Sequence, residues 1–313
     1  FGKVVKMFCT ITHPDGTPFA MDTRSILKRA IDDAAALGYQ ISFGSEFEFY
    51  LFKTDESGNP TAEPFDQAGY MDVAPEDKGE NVRREICLNL LDMGIQPESS
   101  HHEEGPGQNE IDFRYSDAMS AADNAMHFKT VVKTAALRNG LYADFSPKPI
   151  PGQAGNGMHI NMSVKCSDGT DKSEAFLAGV LAHVREITAF LNPSEESYRR
   201  FGEMKAPRYI TWSPENRSQL IRIPAAKGEY RRIELRSPDP TANPYLAYAL
   251  LIRAGLDGIQ KGMLPPQPVN ENLYTAPRSL TDALEQLPSS LTEAKQIARS
   301  SPFVTAILPE AML

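Results

Sequence analysis

Four short segments of the chain alternate apolar side chains with carboxylates, imidazoles or guanidinium groups. In SFGSEFEFYLF, Glu46 and Glu48 share one face of an extended strand, and phenylalanines occupy the other face. This alternation requires a sheet that packs one face on an apolar core and leaves the other face open, which is typical of antiparallel sheets. The other three segments are NEIDFRY at 109–115, GMHINMSV at 157–164 and RRIELR at 231–236.

Between these strands, apolar residues repeat at helical spacing in longer segments. The first predicted helix begins at Asp22 or Thr23 and ends at Gly38. Because strands and helices follow one another without a regular strand-helix-strand order, we expect an α+β fold with an antiparallel sheet flanked by helices. Further helices are predicted at 80–94, 117–139, 173–192 and 241–257, with a final helical segment after 277. Strands are predicted at 3–12, 41–52, 107–115, 157–164, 208–213, 219–224 and 230–236.

The composition restricts the classes of partner. The 313 residues carry a net charge of -9 without a basic stripe, which argues against nucleic acid and anionic membranes as main partners. Cys9, Cys87 and Cys166 lack paired spacing and suit a reducing compartment. No stretch approaches the roughly 20 apolar residues of a membrane helix. We therefore expect a soluble, cytoplasmic protein.

The carboxylates of Glu46 and Glu48, one pleat apart, repel each other unless a cation lies between them. A solvent-facing strand would also alternate, but these polar faces are rich in Glu, Arg and His and poor in Lys, Thr and Ser. Oxygen ligands with a single imidazole, here His159, favour Mg²⁺ or Mn²⁺ over zinc. The pattern therefore predicts a divalent metal site on the polar face of the sheet.

The segment PESSHHEEGPGQNEI at 97–111 concentrates the same chemistry. The bend at Gly105-Pro106-Gly107 cannot lie inside a helix, so we interpret the segment as a shaped loop that leads into a strand. A hydrophilic surface turn is the alternative interpretation. The candidate ligands of this segment are Glu98, His101, His102, Glu103, Glu104 and Glu110.

Arginines accompany the last predicted strands. Because arginine forks match phosphate and carboxylate oxygens, their position near metal-binding carboxylates predicts a polyanionic substrate such as a nucleotide. Arg217 and Arg222 are an odd number of positions apart, so a bulge or turn must separate them if both line one site. The arginines concerned are Arg217, Arg222, Arg232 and Arg236.

In this order, the segments resemble the catalytic domain of the glutamine synthetase family, type I-like, from about residue 5 to the end of the chain. The resemblance implies a curved antiparallel sheet flanked by helices, the guanido-kinase-like fold of that catalytic domain. It is carried by Glu46-Phe47-Glu48, HHEEGPGQNE, GNGMHIN, NRSQLIRIP, RRIELR and DPTANPYLAYALLIRAGLDGI.

The resemblance also implies roles for single residues, and two or three Mg²⁺ or Mn²⁺ ions with ATP as cofactors. One metal would be held by Glu48, Glu103 and Glu110, and another by Glu46, His159 and Glu234. Positions that contact ATP in the family correspond to Glu98, Asn161, Ser163, Arg217 and Arg222. Positions around the amino-acid substrate correspond to Gly155, Arg200, Arg217 and Arg236. The residues expected to act in catalysis are Arg217, Glu203 and Arg236.

Three positions depart from the family pattern. The flap segment, FGEMKAP at 201–207, has Lys205 where the family has a glutamate that helps to deprotonate ammonium, and Glu203 is the candidate substitute. Ala154 replaces an asparagine that contacts the amino acid. At the adenine end, Glu229 lies where a lysine is expected, with Lys227 close by.

By this resemblance the chain is expected to be a ligase that forms glutamine from glutamate and ammonia with ATP, through γ-glutamyl phosphate. A γ-glutamyl ligase for a larger amine is an alternative, because Lys205 and Ala154 weaken the case for ammonia and free glutamate. A retired homologue that serves as a scaffold would have no reason to keep six metal-ligand positions. A two-metal phosphohydrolase would not need the arginine-rich strand pair.

The resemblance further predicts how the chain is organised and assembled. Residues 1–22 are expected to be the remnant of an N-terminal β-grasp domain with its linker, and residues 23–313 the catalytic domain. The family forms a homo-oligomer, a dodecamer of two hexameric rings. Tyr274 aligns with a tyrosine that some relatives modify with AMP, and an ordinary surface-loop tyrosine is the simpler interpretation.

Overall fold

The computed structural model describes residues 5–203, 205–226 and 228–313. Within them a single mixed sheet has the order β3-β4-β1-β7-β10-β9-β8, and β2, β5 and β6 also pair with β1. The strand pairs are antiparallel except for β8 and β9, so the predicted antiparallel sheet is confirmed apart from that pair. The strands are β1 Tyr39–Thr54, β2 Pro60–Pro64, β3 Pro97–His102, β4 Gln108–Phe113, β5 Ser116–Asp117, β6 Leu141–Asp144, β7 Met158–Cys166, β8 Trp212–Pro214, β9 Ile221–Ile223 and β10 Ile233–Leu235.

Helices flank this sheet, which confirms the α+β prediction. Their starts follow local chemistry: the Asp22 side chain accepts a hydrogen bond from the Arg24 backbone N–H, and the Asn243 side chain caps the helix that begins at Pro244. The α-helices are α1 Thr23–Ala36, α2 Glu80–Asp92, α3 Ala118–Arg138, α4 Ser173–Leu191, α5 Pro244–Lys261, α6 Arg278–Thr281, α7 Leu291–Ser300 and α8 Pro302–Ile307. Short 3₁₀ turns occupy Glu195–Arg199, Gly228–Tyr230 and Glu310–Met312.

The apolar face of β1 anchors the core. Phe43, Phe47 and Phe49 are fully buried, and the ring of Phe47 lies 5.0 Å from that of Phe128 on α3. Full burial of such side chains contributes about 1.5–3 kcal/mol each. Because α3 packs on this face, alternate residues of β1 project from the opposite side of the sheet, where Glu46 and Glu48 line a cavity together with Lys205 of the flap segment.

Two strand predictions need correction. The predicted strand at 3–12 is not found among the described residues: residues 5–12 form only a bridge from Thr12 to Pro18, and Val5 is 81% exposed. Apolar composition does not make a strand without a neighbour to pair with. Residues 97–102, predicted as loop, are the strand β3, and the loop covers only 103–107.

The reason for the second error is that the Gly-Pro-Gly bend marks only the end of the hairpin. The polar residues that precede the bend adopt a strand conformation because they pair with β4, and their local composition does not indicate it. Two further strands, β2 and β6, carry little sequence signal and form by pairing along the far end of β1. These neighbouring strands therefore depend on backbone pairing with the long strand β1.

Candidate active site

The register of the central strands brings acidic residues from distant parts of the chain into a row. On β1 and β4, Glu48 lies opposite Glu110 and Glu46 opposite Asp112. On the other side of β1, Glu46 lies opposite His159 of β7. Directly opposed residues in a sheet have side chains about 4.5–5.5 Å apart, so this register forces the carboxylates and the imidazole together.

The six residues predicted to hold metals converge on this face. Four groups at this site have ligand atoms within 4.8 Å of one another, a separation that a divalent cation can bridge. They are Glu46, His159 and Glu234; Glu48, Glu110 and His159; His101, Glu103 and Glu110; and Glu46, Glu110 and Asp112. One ligand set that the resemblance implies is the first of these groups, whereas the other set, Glu48, Glu103 and Glu110, is divided between two groups that share Glu110.

Hydrogen bonds lower the pKa of one of these carboxylates, whereas burial and mutual repulsion raise the pKa of others. Burial opposes ionisation of Glu46, but hydrogen bonds from His159 at 3.0 Å and Asn161 at 2.7 Å hold its pKa at about 2. Burial and the nearby Glu48 and Glu110 raise the pKa of Glu103 to about 8. The pKa of Glu48 is also raised, by burial and by Glu110. Such a set lacks compensating positive charge, and a bound divalent cation would supply it.

A buried network outside the predicted set positions Glu103. His102 contacts the Glu103 carbonyl oxygen through Nδ1 at 2.6 Å and Asp66 through Nε2 at 2.8 Å. Asp66 in turn accepts a hydrogen bond from the Gly107 backbone N–H at 3.0 Å. These bonds tie both ends of the 103–107 loop to one buried carboxylate. Nothing in the sequence around Asp66 signals this role, because its partners come from another part of the chain.

Four arginines line the same cavity as the acidic groups, which has a volume of about 260 Å³. Arg222 on β9 donates from Nε to Glu234 at 2.6 Å, and Arg236 pairs with the other oxygen of Glu234. Arg217 lies in the turn before β9 and donates to the hydroxyl of Tyr70 at 3.4 Å. A turn therefore separates Arg217 from Arg222, as their odd spacing required. The cavity-lining arginines are Arg200, Arg217, Arg222 and Arg236.

An adjoining cavity of about 240 Å³ contains the remaining predicted ATP contacts, Glu98, Asn161 and Ser163. It shares Glu46 and Asp112 with the arginine-lined cavity. The predicted ATP residues are thus divided between two neighbouring spaces that meet at the acidic row. Arg232, which donates from Nε to Asn161 at 2.9 Å, lines the second space.

The flap segment differs from the expectation. Glu203 does not line either cavity; its side chain is 62% exposed and pairs with Lys148 at 3.3 Å. Lys205 lines the arginine-lined cavity instead, where it pairs with Glu104 and lies 4.2 Å above the ring centroid of Tyr70. The predicted catalytic role of Glu203 thus lacks geometric support in this conformation.

Ala154 and Gly155, at the positions expected to lie near the amino-acid substrate, line the arginine-lined cavity. Ala154 lies there, and its carbonyl accepts a hydrogen bond from the Tyr50 hydroxyl at 2.6 Å. A Cβ at Gly155 would approach the Pro147 carbonyl oxygen to 2.5 Å and Arg200 Cγ to 2.7 Å, so glycine is required for this close contact. Lys227 and the side chain of Glu229 lie outside the described part of the chain.

Sequence reasoning missed other residues that line the cavities. The alternation in NEIDFRY places Asp112 on the same strand face as Glu110 but assigns it no role, and its Oδ1 is buried without a hydrogen-bond partner. Gln108, which donates to Glu48 at 3.1 Å, also lies near the end of that strand. Tyr70 lies in an irregular segment, where no periodicity marks it.

The comparisons with known proteins agree with this geometry. The family model for the catalytic domain of glutamine synthetase matches residues 20–313. The chain belongs to the glutamine synthetase family. Within the family, it is 48% identical to the glutamine synthetase of Clostridium saccharobutylicum over 308 residues, which cover 94% of this chain and 70% of the relative. It is 46% identical to the enzyme of Staphylococcus aureus strain MW2, covering 98% of this chain and 72% of the relative.

Solved structures of family members have the same fold. A structure described as a GmaS/ADP complex, conformation 1, superposes with a TM-score of 0.85 at 33% identity, over 95% of this chain and 72% of that chain. The glutamine synthetase of Plasmodium falciparum superposes with a TM-score of 0.83 at 24% identity, over 97% and 76%, and supports the fold alone. Membership of the glutamine synthetase family implies the use of ATP and a divalent metal. Among the described residues, no helix is long and apolar enough to span a membrane.

Proposed function

We propose that this glutamine synthetase family member forms glutamine from glutamate and ammonia, with cleavage of ATP to ADP and phosphate through γ-glutamyl phosphate. The observation that carries the proposal is the meeting of two spaces at one acidic row: an arginine-lined cavity on one side and the predicted nucleotide residues on the other. Relatives that are 46–48% identical over nearly the whole chain and are named glutamine synthetase support it.

The residues present fit divalent cations. The raised pKa of Glu103, the groups of ligand atoms within 4.8 Å and the unpartnered Oδ1 of Asp112 all describe a site short of positive charge. When bound, Mg²⁺ or Mn²⁺ would supply that charge next to phosphate oxygens. We assign one ion to Glu48, Glu103 and Glu110, which line one cavity, and another to Glu46, His159 and Glu234, whose ligand atoms lie within 4.8 Å of one another.

The arginines complete the electrostatic environment for phosphoryl transfer. A carboxylate is a poor electrophile, so the γ-carboxylate of glutamate must attack the γ-phosphorus of ATP before an amine can displace phosphate from the acyl group. Negative charge that spreads over the transferred phosphoryl group is stabilised by fixed cations that are already in place. Arg217, Arg222 and Arg236 are the candidates, since they line the cavity beside the acidic row.

The amino-acid substrate is assigned to the inner end of the same cavity. Arg200 is almost completely buried and is fixed by a hydrogen bond from Nη1 to the Ser237 carbonyl oxygen at 3.1 Å. Gly155 allows the chain to approach this arginine closely. A buried guanidinium and an uncovered backbone suit the α-carboxylate and α-amine of glutamate.

The alternative, a γ-glutamyl ligase for a larger amine, is favoured by one observation: the flap presents Lys205 to the cavity, whereas Glu203 points away from it. The amine acceptor is therefore the least constrained part of the assignment. The residues assigned to ATP, metal and glutamate lie outside the flap segment and are common to both functions.

The test is an assay of the purified protein with ATP, glutamate and Mg²⁺ or Mn²⁺, in the presence of ammonium, methylammonium, ethylammonium or ethanolammonium. ADP release and the amide product are measured together. We expect both to depend on an amine and on metal, with ammonium giving the highest kcat/KM. A preference for an organic amine would select the alternative, and ATP cleavage without any amine or glutamate would contradict both.

The remaining features implied by the resemblance stay predictions. They are the dodecamer of two hexameric rings, the cytoplasmic location and a domain boundary between residues 22 and 23. The start of α1 at Thr23 is consistent with that boundary. Modification of Tyr274 also stays open; this residue is 37% exposed in an irregular loop.

A further inference from the structure

A buried arginine lies behind the acidic row, on the helix-covered face of the sheet. Arg83 belongs to α2, which packs on β3, and it is 4% exposed. Its partner on β4 is Asn109, which is paired with Phe49 and follows the alternation of the strand to the face opposite Glu110. Arg83 therefore contacts the metal-ligand strand from the side that the cavity does not occupy.

The charge of Arg83 is balanced by a single buried carboxylate. Nη1 and Nη2 donate to the two oxygens of Asp77 at 3.1 Å and 2.5 Å. Because both charges lose their hydration, a buried ion pair is tolerated only when the remaining donors also find partners. Arg83 donates from Nη1 to the side-chain oxygen of Asn109 at 2.6 Å and from Nε to Ser100 Oγ at 3.2 Å. The guanidinium group thus joins an irregular segment, β3 and β4.

Asn109 connects this arginine to the loop that carries Glu103. Its amide is fully buried, and its Nδ2 donates to the Gly107 carbonyl oxygen at 2.9 Å. An amide is suited to this place because it accepts a hydrogen bond from a guanidinium group and donates one to a carbonyl. The N–H of Gly107 is held by Asp66. Buried side chains therefore fix both backbone polar groups at the end of the 103–107 loop.

The space at this contact is fully used. A Cβ at Gly79, the residue before α2, would lie 2.7 Å from Asn109 Oδ1 and 3.2 Å from Arg83 Nη1. The start of α2 is thus pressed against the hydrogen bond that joins the helix to β4. A shift of Arg83 or Asn109 has little room to be absorbed without a shift of the backbone.

We infer that Arg83, acting through Asn109, is a positioning residue for one of the two metal ions, here called the loop ion. Arg83 lines neither cavity, so it acts on where the ligands lie rather than on the ion itself. The other ion, called the imidazole ion, has its ligands on strands that Arg83 does not contact. The inference rests on the metal assignment made with the proposed function. The loop ion is the one assigned to Glu48, Glu103 and Glu110, and the imidazole ion the one assigned to Glu46, His159 and Glu234.

Two substitutions test the connection without leaving a buried charge unpaired. Arg83→Lys keeps a positive charge beside Asp77, but one ammonium group does not reproduce the planar fork that serves Asp77 and Asn109 together. Asn109→Ala keeps the ion pair and removes the hydrogen bond to Gly107. We expect both variants to bind the loop ion about 10–100-fold more weakly, the usual effect of losing contacts behind metal ligands.

The affinity for each ion is measured by titration with Mn²⁺, followed by electron paramagnetic resonance of the free ion, in two backgrounds. Glu46→Gln removes a ligand of the imidazole ion and leaves the loop ion to be observed, and Glu110→Gln does the reverse. We expect the weakening in the Glu46→Gln background. In the Glu110→Gln background, the affinity should change by less than about twofold.

Leu90→Ala is the control for lost stability, because Leu90 is a fully buried apolar residue of the same helix. Its truncation lowers the Tm and should leave the affinity for both ions unchanged. Equal weakening of both ions, weakening in Leu90→Ala as large as in Arg83→Lys, or an unchanged affinity for the loop ion in both test variants would overturn the inference. If the unsubstituted protein binds no Mn²⁺, the metal assignment of the proposed function is wrong and the inference fails with it.

Discussion

The sheet and the flap segment face the same cavity but are determined in different ways. On the sheet, backbone pairing over several strands fixes where each side chain projects, so Glu46, Glu48 and Glu110 meet whatever their immediate neighbours are. On the flap, Glu203 and Lys205 are two positions apart in the sequence but project in opposite directions. The Lys205 side chain lies in the cavity, and the Glu203 side chain lies outside it. The difference teaches that the strand register fixes the position of the acidic row, whereas the directions of the flap side chains depend on an irregular segment.

The largest effect is expected from the sheet. Glu46→Gln removes a charge that holds His159 and Asn161 in place, so we expect kcat/KM for glutamine formation to fall at least about a hundredfold. Glu110→Gln, on the neighbouring strand, should be similarly impaired. The measurement is steady-state kinetics at saturating Mn²⁺. A loss below tenfold would place the chemistry elsewhere.

A smaller effect tests the support behind the sheet. Asp66→Asn weakens the buried contact with His102 and the anchor for Gly107, and so loosens the loop that carries Glu103. Removal of such outer contacts typically costs about 10–100-fold in metal affinity. We expect a loss of that size in Mn²⁺ affinity, measured by electron paramagnetic resonance. Unchanged affinity in a correctly folded variant would show that the loop is held by other contacts.

Crowding at the amino-acid end gives the next prediction. In Gly155→Ala, the added methyl group meets Arg200 and the Pro147 carbonyl, and overpacking of this kind costs about 1–3 kcal/mol. We expect the KM for glutamate to rise about tenfold while the KM for ATP changes little. Equal changes in both constants would indicate general distortion rather than a local effect.

The effect of pH on metal stabilisation follows from Glu103. Its pKa rises from 4.5 to about 8, so the metal-free folded state binds a proton more readily than the unfolded state, and stability falls as pH rises between these values. A bound cation removes this penalty. The increase in Tm on adding Mn²⁺ should therefore be larger at about pH 8.5 than at about pH 6, by about 2 °C or more. Glu103→Gln should abolish the difference between the two pH values.

The smallest effect is expected on the flap. Glu203→Gln removes the ion pair between the exposed Glu203 carboxylate and Lys148, and ion pairs at the protein surface contribute about 0–1 kcal/mol. We expect kcat/KM to change by less than about threefold. A loss as large as that of Glu46→Gln would mean that the flap reorganises during turnover and brings Glu203 into the cavity.

The same contrast explains what the sequence could predict. Alternation in the segments of β1, β4, β7 and β10 predicts that their acidic and basic residues share one face, because side-chain direction has a period of two along a strand. The extent of β3 and the absence of a strand at 5–12 could not be predicted, since pairing partners decide both. The roles of Asp66 and Tyr70 could not be predicted, because they arise from contacts between segments that are distant in the sequence.

The flap shows a second limit. The resemblance marks Lys205 as a departure from the family pattern, yet the direction of each flap side chain depends on the backbone of an irregular segment, including the left-handed conformation at Lys205. Local sequence does not determine that conformation. The different directions of the Glu203 and Lys205 side chains therefore needed the structure.

The central claim is that carboxylates and one imidazole on four strands, with Glu103 from the following loop, form a divalent metal site. A titration of Mn²⁺ into the protein, followed by electron paramagnetic resonance of the free ion, tests it most directly. The account predicts two or more tight sites per chain, at least one of which is lost in Glu46→Gln and in Glu110→Gln but not in the surface variant Glu63→Gln. Binding that is absent, or that is unaffected by either substitution on the sheet, would contradict it.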